Sequence, residues 1–222
     1  MKKGLKKILS VLVVGALMVT SIVGFSVTSF AVPDSSEDSM SDSSSYRVFN
    51  VGSESELRSA LSWANPGEYI QFYNDIKVNG NLYVNKTVTI NLNCHSLKFT
   101  CSNDGLVVNP GCLNCVYLWN GRVHADVDSD AAVYIQSGDL SVYNCSIYGG
   151  DCAVHEILYY GNALYCSSSS SRIWLDYVHL QGGSGYWKGI FNPSRTGKAI
   201  YSCSPVYSIG SGYTVVNGNC IR

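Results

Sequence analysis

Three aspartates at alternate positions, Asp126, Asp128 and Asp130, stand between Val123 and Ala131, and carboxylates at this spacing can share a calcium ion through hard oxygen ligands. The segment lacks the central glycine and closing glutamate of an EF-hand, and a polar corner in which Asp stabilises turns accounts for the same residues. Paired carboxylates for acid and base work would have to come from Asp139, Asp151, Glu156 or Asp176, which no motif places together. His95, His124, His155 and His179 each stand alone, and no Ser or Cys lies in a recognisable nucleophile motif. Cys112-x-x-Cys115 has the spacing of half a zinc site, but no partner pair with matching spacing or His-x-x-x-His segment follows.

The aromatic residues carry a stronger signal, because they recur. A small residue, an aliphatic and usually a tyrosine appear as Gly105-Leu106-Val107, Ala132-Val133-Tyr134, Ala163-Leu164-Tyr165 and Ala199-Ile200-Tyr201. Between copies lie Ile90-Asn91-Leu92, Val116-Tyr117-Leu118, Leu140-Ser141-Val142 and Ile173-Trp174-Leu175, closed by Leu97, Val123, Ile147 and Leu180. Units of this length, built from strand-like phrases, read as coils of a solenoid. If the aliphatic residues face the core, the residues between them face out, since strand side chains alternate. One outward column then holds Asn91, Tyr117, Ser141 and Trp174, another Asn93, Trp119, Tyr143 and Asp176, and a third, on the other sheet, Val107, Tyr134, Tyr165 and Tyr201.

Aromatic rings beside Asn, Ser and Asp suit sugar rings, whose apolar faces stack while polar groups bond the hydroxyls; Tyr117, Trp119, Tyr143, Trp174 and Asp176 are the candidate ligand-binding residues. Mutual support of the rings across strands, under the segments 148–162 and 181–197, is the competing explanation. Asn93, Asn120 and Asn144 recur near coil corners, where Asn tolerates left-handed turns and can form an internal ladder.

The elements around these columns are legible in outline. Lys2, Lys3, Lys6 and Lys7, an apolar run from Ile8 to about Phe25 and the ending Ser29-Phe30-Ala31 predict an export signal over 1–31. Residues 32–45, rich in Ser and Asp, read as a flexible leader, and 46–222 as a single domain. Ser53 to Trp63 predicts a helix with acids in its first turn and Leu57, Ala60, Leu61 and Ala64 on one face, ended by Pro66-Gly67. Only strand patterns follow, so the expected class is all-β with a short N-terminal helix that caps the exposed edges of the first coil.

The run Leu57-Arg58-Ser59-Ala60-Leu61, Pro66-Gly67-Glu68-Tyr69-Ile70 and Thr87-Val88-Thr89-Ile90-Asn91-Leu92, with the later repeats, resembles the pectate-lyase-like superfamily of right-handed parallel β-helix proteins. That superfamily includes polysaccharide lyases, glycoside hydrolases, bacterial adhesins and phage tailspikes, so the resemblance implies a fold rather than a reaction. It implies that, were calcium to bind at Asp126, Asp128 and Asp130, Arg122 would be the proton-abstracting residue. Ile173-Trp174-Leu175-Asp176-Tyr177 is similar to the lyase phrase Val-Trp-Ile-Asp-His, which makes Asp176 a further catalytic candidate, but Tyr177 stands where the phrase has His. The second lyase motif and the polygalacturonase set have no counterpart.

Without residues 1–31, which hold four lysines and no acid, the chain's 15 basic and 16 acidic side chains become 11 and 16, a net of −5. This disfavours nucleic acid, and also anionic sugar polymers unless a divalent cation bridges. No second apolar run is long enough for a membrane span. All nine cysteines follow the signal, which predicts disulfides; the connectivity is open, with local clips at Cys94 and Cys101 and at Cys145 and Cys152 as candidates, and one thiol is left over or pairs with another molecule. The leading expectation is a secreted or cell-surface carbohydrate-binding or adhesion module needing no cofactor. A small polysaccharide lyase or glycosidase and a disulfide-linked structural surface protein are the alternatives.

Overall fold

A computed structural model describes residues 46–100, 104–126, 129–151, 161–184, 186–187, 190–191, 196–216 and 219–221. The expected export signal and leader lie outside the described residues. Strand β1 (Val48–Val51) leads into helix α1 (Glu54–Trp63). Ser53, in extended conformation, caps the helix by accepting the Glu56 amide at 3.3 Å, and Glu56 accepts the Gly52 amide at 2.8 Å. Leu57, Ala60 and Leu61 are buried where α1 packs on the first strands, as their spacing predicts. The helix has no basic residue in its last turn; Lys86 supplies the cation from outside, donating to the carbonyls of Ser62 and Ala64 at 3.0 and 2.8 Å.

The chain then makes successive passes, each contributing strands in the same order. The first holds β2 (Tyr69–Phe72), β3 (Ile76–Val78) and β4 (Leu82–Val84), the second β5 (Thr89–Asn91), β6 (Ser96–Phe99) and β7 (Leu106–Val108). In the third pass the first two segments fuse into β8 (Cys115–His124), followed by β9 (Ala131–Ile135), and the fourth repeats this with β10 (Asp139–Tyr148) and β11 (Asn162–Cys166). The fifth holds β12 (Ile173–Asp176), β13 (Val178–Gln181), a short antiparallel pair β14 (Tyr186–Trp187) and β15 (Ile190–Phe191), and β16 (Ile200–Ser202). The last holds β17 (Val206–Ser208), β18 (Tyr213–Val216) and β19 (Asn219–Ile221).

Pairing between passes is parallel. It gives an 11-stranded sheet ordered β1-β2-β5-β8-β10-β12-β17, with β3, β6, β13 and β18 attached, and a 6-stranded sheet ordered β4-β7-β9-β11-β16-β19. The described chain is thus all-β and mostly parallel, in two main sheets with one short helix. Like residues stack inside: Ile70, Ile90, Leu118, Val142 and Leu175 form one file, Leu97, Val123, Ile147 and Leu180 a second, and Leu106, Val133, Leu164 and Ile200 a third, all buried.

The larger sheet bends at one corner, which divides its outer surface into two faces. Asn120, Asn144 and Tyr177 occupy equivalent positions there, with φ of 57°, 51° and 53°. Asn144 Nδ2 donates to Asn120 Oδ1 at 3.1 Å and Asn120 Nδ2 to Asn91 Oδ1 at 3.2 Å, while Asn93 Nδ2 reaches the Phe72 carbonyl at 3.1 Å. Asn120 and Asn144 form the expected ladder, but its third member is Asn91 rather than Asn93; Asn tolerates left-handed backbone while bonding along the stack.

One expected register is corrected. Thr89 and Asn91 pair with Tyr117 and Trp119, so the outward columns are Tyr69-Thr89-Tyr117-Ser141-Trp174-Tyr207 and Gln71-Asn91-Trp119-Tyr143-Asp176; Asn91 and Asn93 do not fill the places expected of them. The second pass has a longer corner, with both Asn93 and Cys94 left-handed, and this absorbs the two-residue slip.

Candidate functional site

Ahead of the corner, the larger sheet presents the two aromatic columns side by side. Rows lie about 4.8 Å apart, the strand spacing of any sheet. Trp119 meets Tyr69 and Tyr117 edge to face, with ring centroids 5.8 and 6.2 Å apart, and Trp174 stacks on Tyr207 at 6.1 Å. Tyr143 touches Tyr177 edge-on at 6.1 Å; Tyr143 and Tyr207 are each 43% exposed, and Tyr117, Trp119 and Trp174 are half-buried. The structure therefore brings Tyr117, Trp119, Tyr143, Trp174 and Asp176 onto one face. Their rings support each other across strands and keep part of their surface outward, so both readings of the columns describe part of the arrangement.

Polar groups frame the rings. Asp139, nearly buried, accepts the Arg172 amide at 2.8 Å and two guanidinium bonds at 2.7 and 3.1 Å, and the guanidinium carbon lies 5.1 Å from the Trp174 ring centre. Asp176 accepts the Ser211 amide at 2.9 Å, which ties it to the following turn. Arg122 lies beyond the corner, on the other face from Asp176, so the structure does not assemble these two catalytic candidates into one centre.

The 6-stranded sheet carries the third column as expected, extended by Tyr83: Tyr83-Val107-Tyr134-Tyr165-Tyr201. Val107 is fully buried, Tyr134 and Tyr165 stack at 4.9 Å, and Tyr165 meets Tyr201 at 5.5 Å. At the entrance to this sheet stands a carboxyl pair of which only one member was a sequence candidate. Burial, and then the charge of Asp130, push Asp104 up to about 6, and burial pushes Asp130 up as well. Asp104 Oδ1 is buried without a hydrogen-bond partner. The sequence signal was available: both residues stand just ahead of the small-aliphatic phrase in consecutive passes. A carboxyl tuned in this way can hold a proton near neutral pH.

A pH effect follows. Asp104 has a folded-state pKa above its unfolded value, so it exacts no penalty while protonated, and stability is lost as pH rises toward and through about 6. With allowance for solvent screening at a partly exposed site, Asp104→Asn should stabilise the fold by about 1–2 kcal/mol above neutral pH and by much less near pH 4. Urea unfolding at both pH values checks this; an equal effect at both would refute the assignment.

Asp126 and Asp130 belong to the proposed calcium set, but Asp128 lies outside the described residues. Among the described residues no three His, Cys, Asp or Glu side chains gather to hold a metal ion, and no helix is long and apolar enough to cross a membrane. Cys94, Cys112, Cys115, Cys145, Cys166 and Cys203 carry free thiols, so Cys94 and Cys145 do not form the expected clips; Cys101 and Cys152 lie outside the described residues. Strand alternation turns Cys145 inward, with Sγ 3.5 Å from the Leu118 carbonyl, and burial pushes its thiol up to about 12. Burial, with the Asp139 charge, pushes Cys115 up to about 11, so neither is a ready nucleophile.

No family model matches the chain, and no curated protein or solved structure matches it.

Proposed function

We propose that the chain is an exported right-handed parallel β-helix protein, similar in fold to the pectate-lyase-like superfamily, that binds carbohydrate as an adhesion or recognition module. The observation that carries this reading is the aromatic face of the 11-stranded sheet, where Tyr69, Tyr117, Trp119, Trp174 and Tyr207 form touching clusters with outward surface. The rings stand in several rows, interrupted by Thr89 and Ser141 in one column, so a polysaccharide lying across the strands meets more than one of them. Asp176 and Ser141 share these columns, and a carboxylate and a hydroxyl are groups that bond sugar hydroxyls. No cofactor is required.

Affinity gel electrophoresis against neutral polysaccharides tests it. Trp119→Ala and Trp174→Ala should each weaken retardation about tenfold, the loss of one stacked ring, with a native circular dichroism spectrum. Retardation that survives both substitutions would remove this face from consideration.

The Asp104–Asp130 pair favours a second reading, a small polysaccharide lyase or glycosidase acting at the 6-stranded sheet. A lyase creates an unsaturated, ultraviolet-absorbing product, and an Asp104→Asn variant of unchanged activity would count against it.

A further inference from the structure

We infer that the second outer face of the 11-stranded sheet, beyond the asparagine corner, is a binding site for a sulfated polysaccharide. Two columns run across this face. One stacks Lys77, Lys98, His124, Tyr148 and Gln181; the other stacks Ser96, Arg122, Ser146, His179 and Thr214. Lys77, Lys98 and Arg122 are exposed, and among the described residues none has a side-chain hydrogen bond or ion pair.

The carboxylates nearest along the chain do not neutralise them. Asp75 sits at the corner, accepting the Ser96 amide at 2.8 Å and lying 3.5 Å from His95, and Asp126 follows the end of β8. An uncompensated positive field results, and His124 feels it: burial, then Lys98 and Arg122, hold its imidazolium below the ordinary histidine range. Tyr148 stacks on His124 at 4.6 Å and lies 5.9 Å from His179, which keeps the centre of the face flat and rigid.

The cations occupy successive rows about 4.8 Å apart, so they form a track rather than a pocket, and a track suits an extended polymer. Two ammonium groups and one guanidinium stand in the first three rows, with Ser96 on the strand of Lys98 and Ser146 one row beyond Arg122. Ammonium groups act as point charges without the planar fork that matches a carboxylate, so two of them to one guanidinium suit the fixed charge of a sulfate ester better than a carboxylate. The hydroxyls of Ser96 and Ser146 beside the cations match the sugar hydroxyls of the same chain. Duplex nucleic acid fits poorly, because a flat sheet face offers no element to enter a groove. The net negative charge of the chain, which argues against polyanions, is an average that the fold separates into faces.

This inference does not rest on the aromatic face. Gel retardation of the full chain by dextran sulfate, with unsulfated dextran as the matched neutral polymer, tests it. Dextran sulfate should retard the protein at low salt, less so as salt screens the charges, and the K77Q/K98Q/R122Q variant should bind at least about tenfold more weakly. Lys198→Gln, which removes a charge elsewhere, should change nothing. The three substituted side chains are exposed and unpaired, so an unchanged thermal midpoint shows that folding is intact. Absence of retardation, undiminished retardation of the triple variant, or tighter binding to polygalacturonate, duplex DNA or anionic vesicles would each overturn the proposal. Failure here leaves the Trp119 and Trp174 test with neutral polymers unaffected, and the reverse holds.

Discussion

Gly183→Ala should destabilise the fold by about 3–5 kcal/mol, enough to abolish cooperative folding in a marginal domain. Gly183 is buried where consecutive passes come closest: its amide donates to the Gly161 carbonyl at 2.8 Å, and its own carbonyl accepts from Gly197 at 2.9 Å. A Cβ at Gly183 would overlap the carbonyl of Gly150 and lie 3.0 Å from the Asp151 amide nitrogen. Both neighbours are backbone, so no rotamer change relieves the clash, and separating the passes breaks their hydrogen bonds. Gly80→Ala is the matched control: its φ of +87° strains an alanine, but nothing lies within 4 Å of the added carbon. It should cost only about 1 kcal/mol. Urea unfolding of both variants distinguishes the cases, and similar losses would mean that the close approach at Gly183 is not rigid.

Asn120→Ala should cost about 2–3 kcal/mol, and Asn120→Gly about 1–2 kcal/mol. Alanine loses both ladder bonds, to Asn91 and from Asn144, and must hold a φ of 57°. Glycine loses the same bonds but adopts that backbone freely. The difference between the two variants isolates the conformational part, about 1 kcal/mol for a left-handed alanine. If both cost the same, the corner is held by the side-chain ladder alone.

Much of the fold is legible because its signals are local. Ser53 and Glu56 mark the helix start, the spacing of Leu57, Ala60 and Leu61 fixes its buried face, and the Ala-aliphatic-Tyr phrase marks equivalent strands that do pair in that register. The candidate site was legible in part. Trp119 with Tyr143, and Tyr117 with Ser141 and Trp174, share columns as alternation predicts, yet the second pass was placed two residues out of step. Alternation is blind to that slip, since a shift of two keeps every side chain on its face. The length of the corner between β5 and β6 decides it. The Cys145 clip failed for a related reason: proximity along the chain does not say which way a strand side chain points, and Cys145 points inward.

The sequence by itself determined most of the inward-facing residues, where the helix starts and the left-handed corners at Asn93, Asn120 and Asn144, because burial, capping and steric preference act within a few residues; it did not mark the burial of Val107 or the left-handed Cys94 and Tyr177. The tertiary structure decided which residues from different passes meet. Asp104 beside Asp130, and Lys77, Lys98, Arg122 and His124 on one face, are separated by twenty or more residues in most pairs and become neighbours through register alone. Register depends on the lengths of corners and on backbone contacts such as Gly183 with Gly150, which are properties of the whole stack rather than of any single strand.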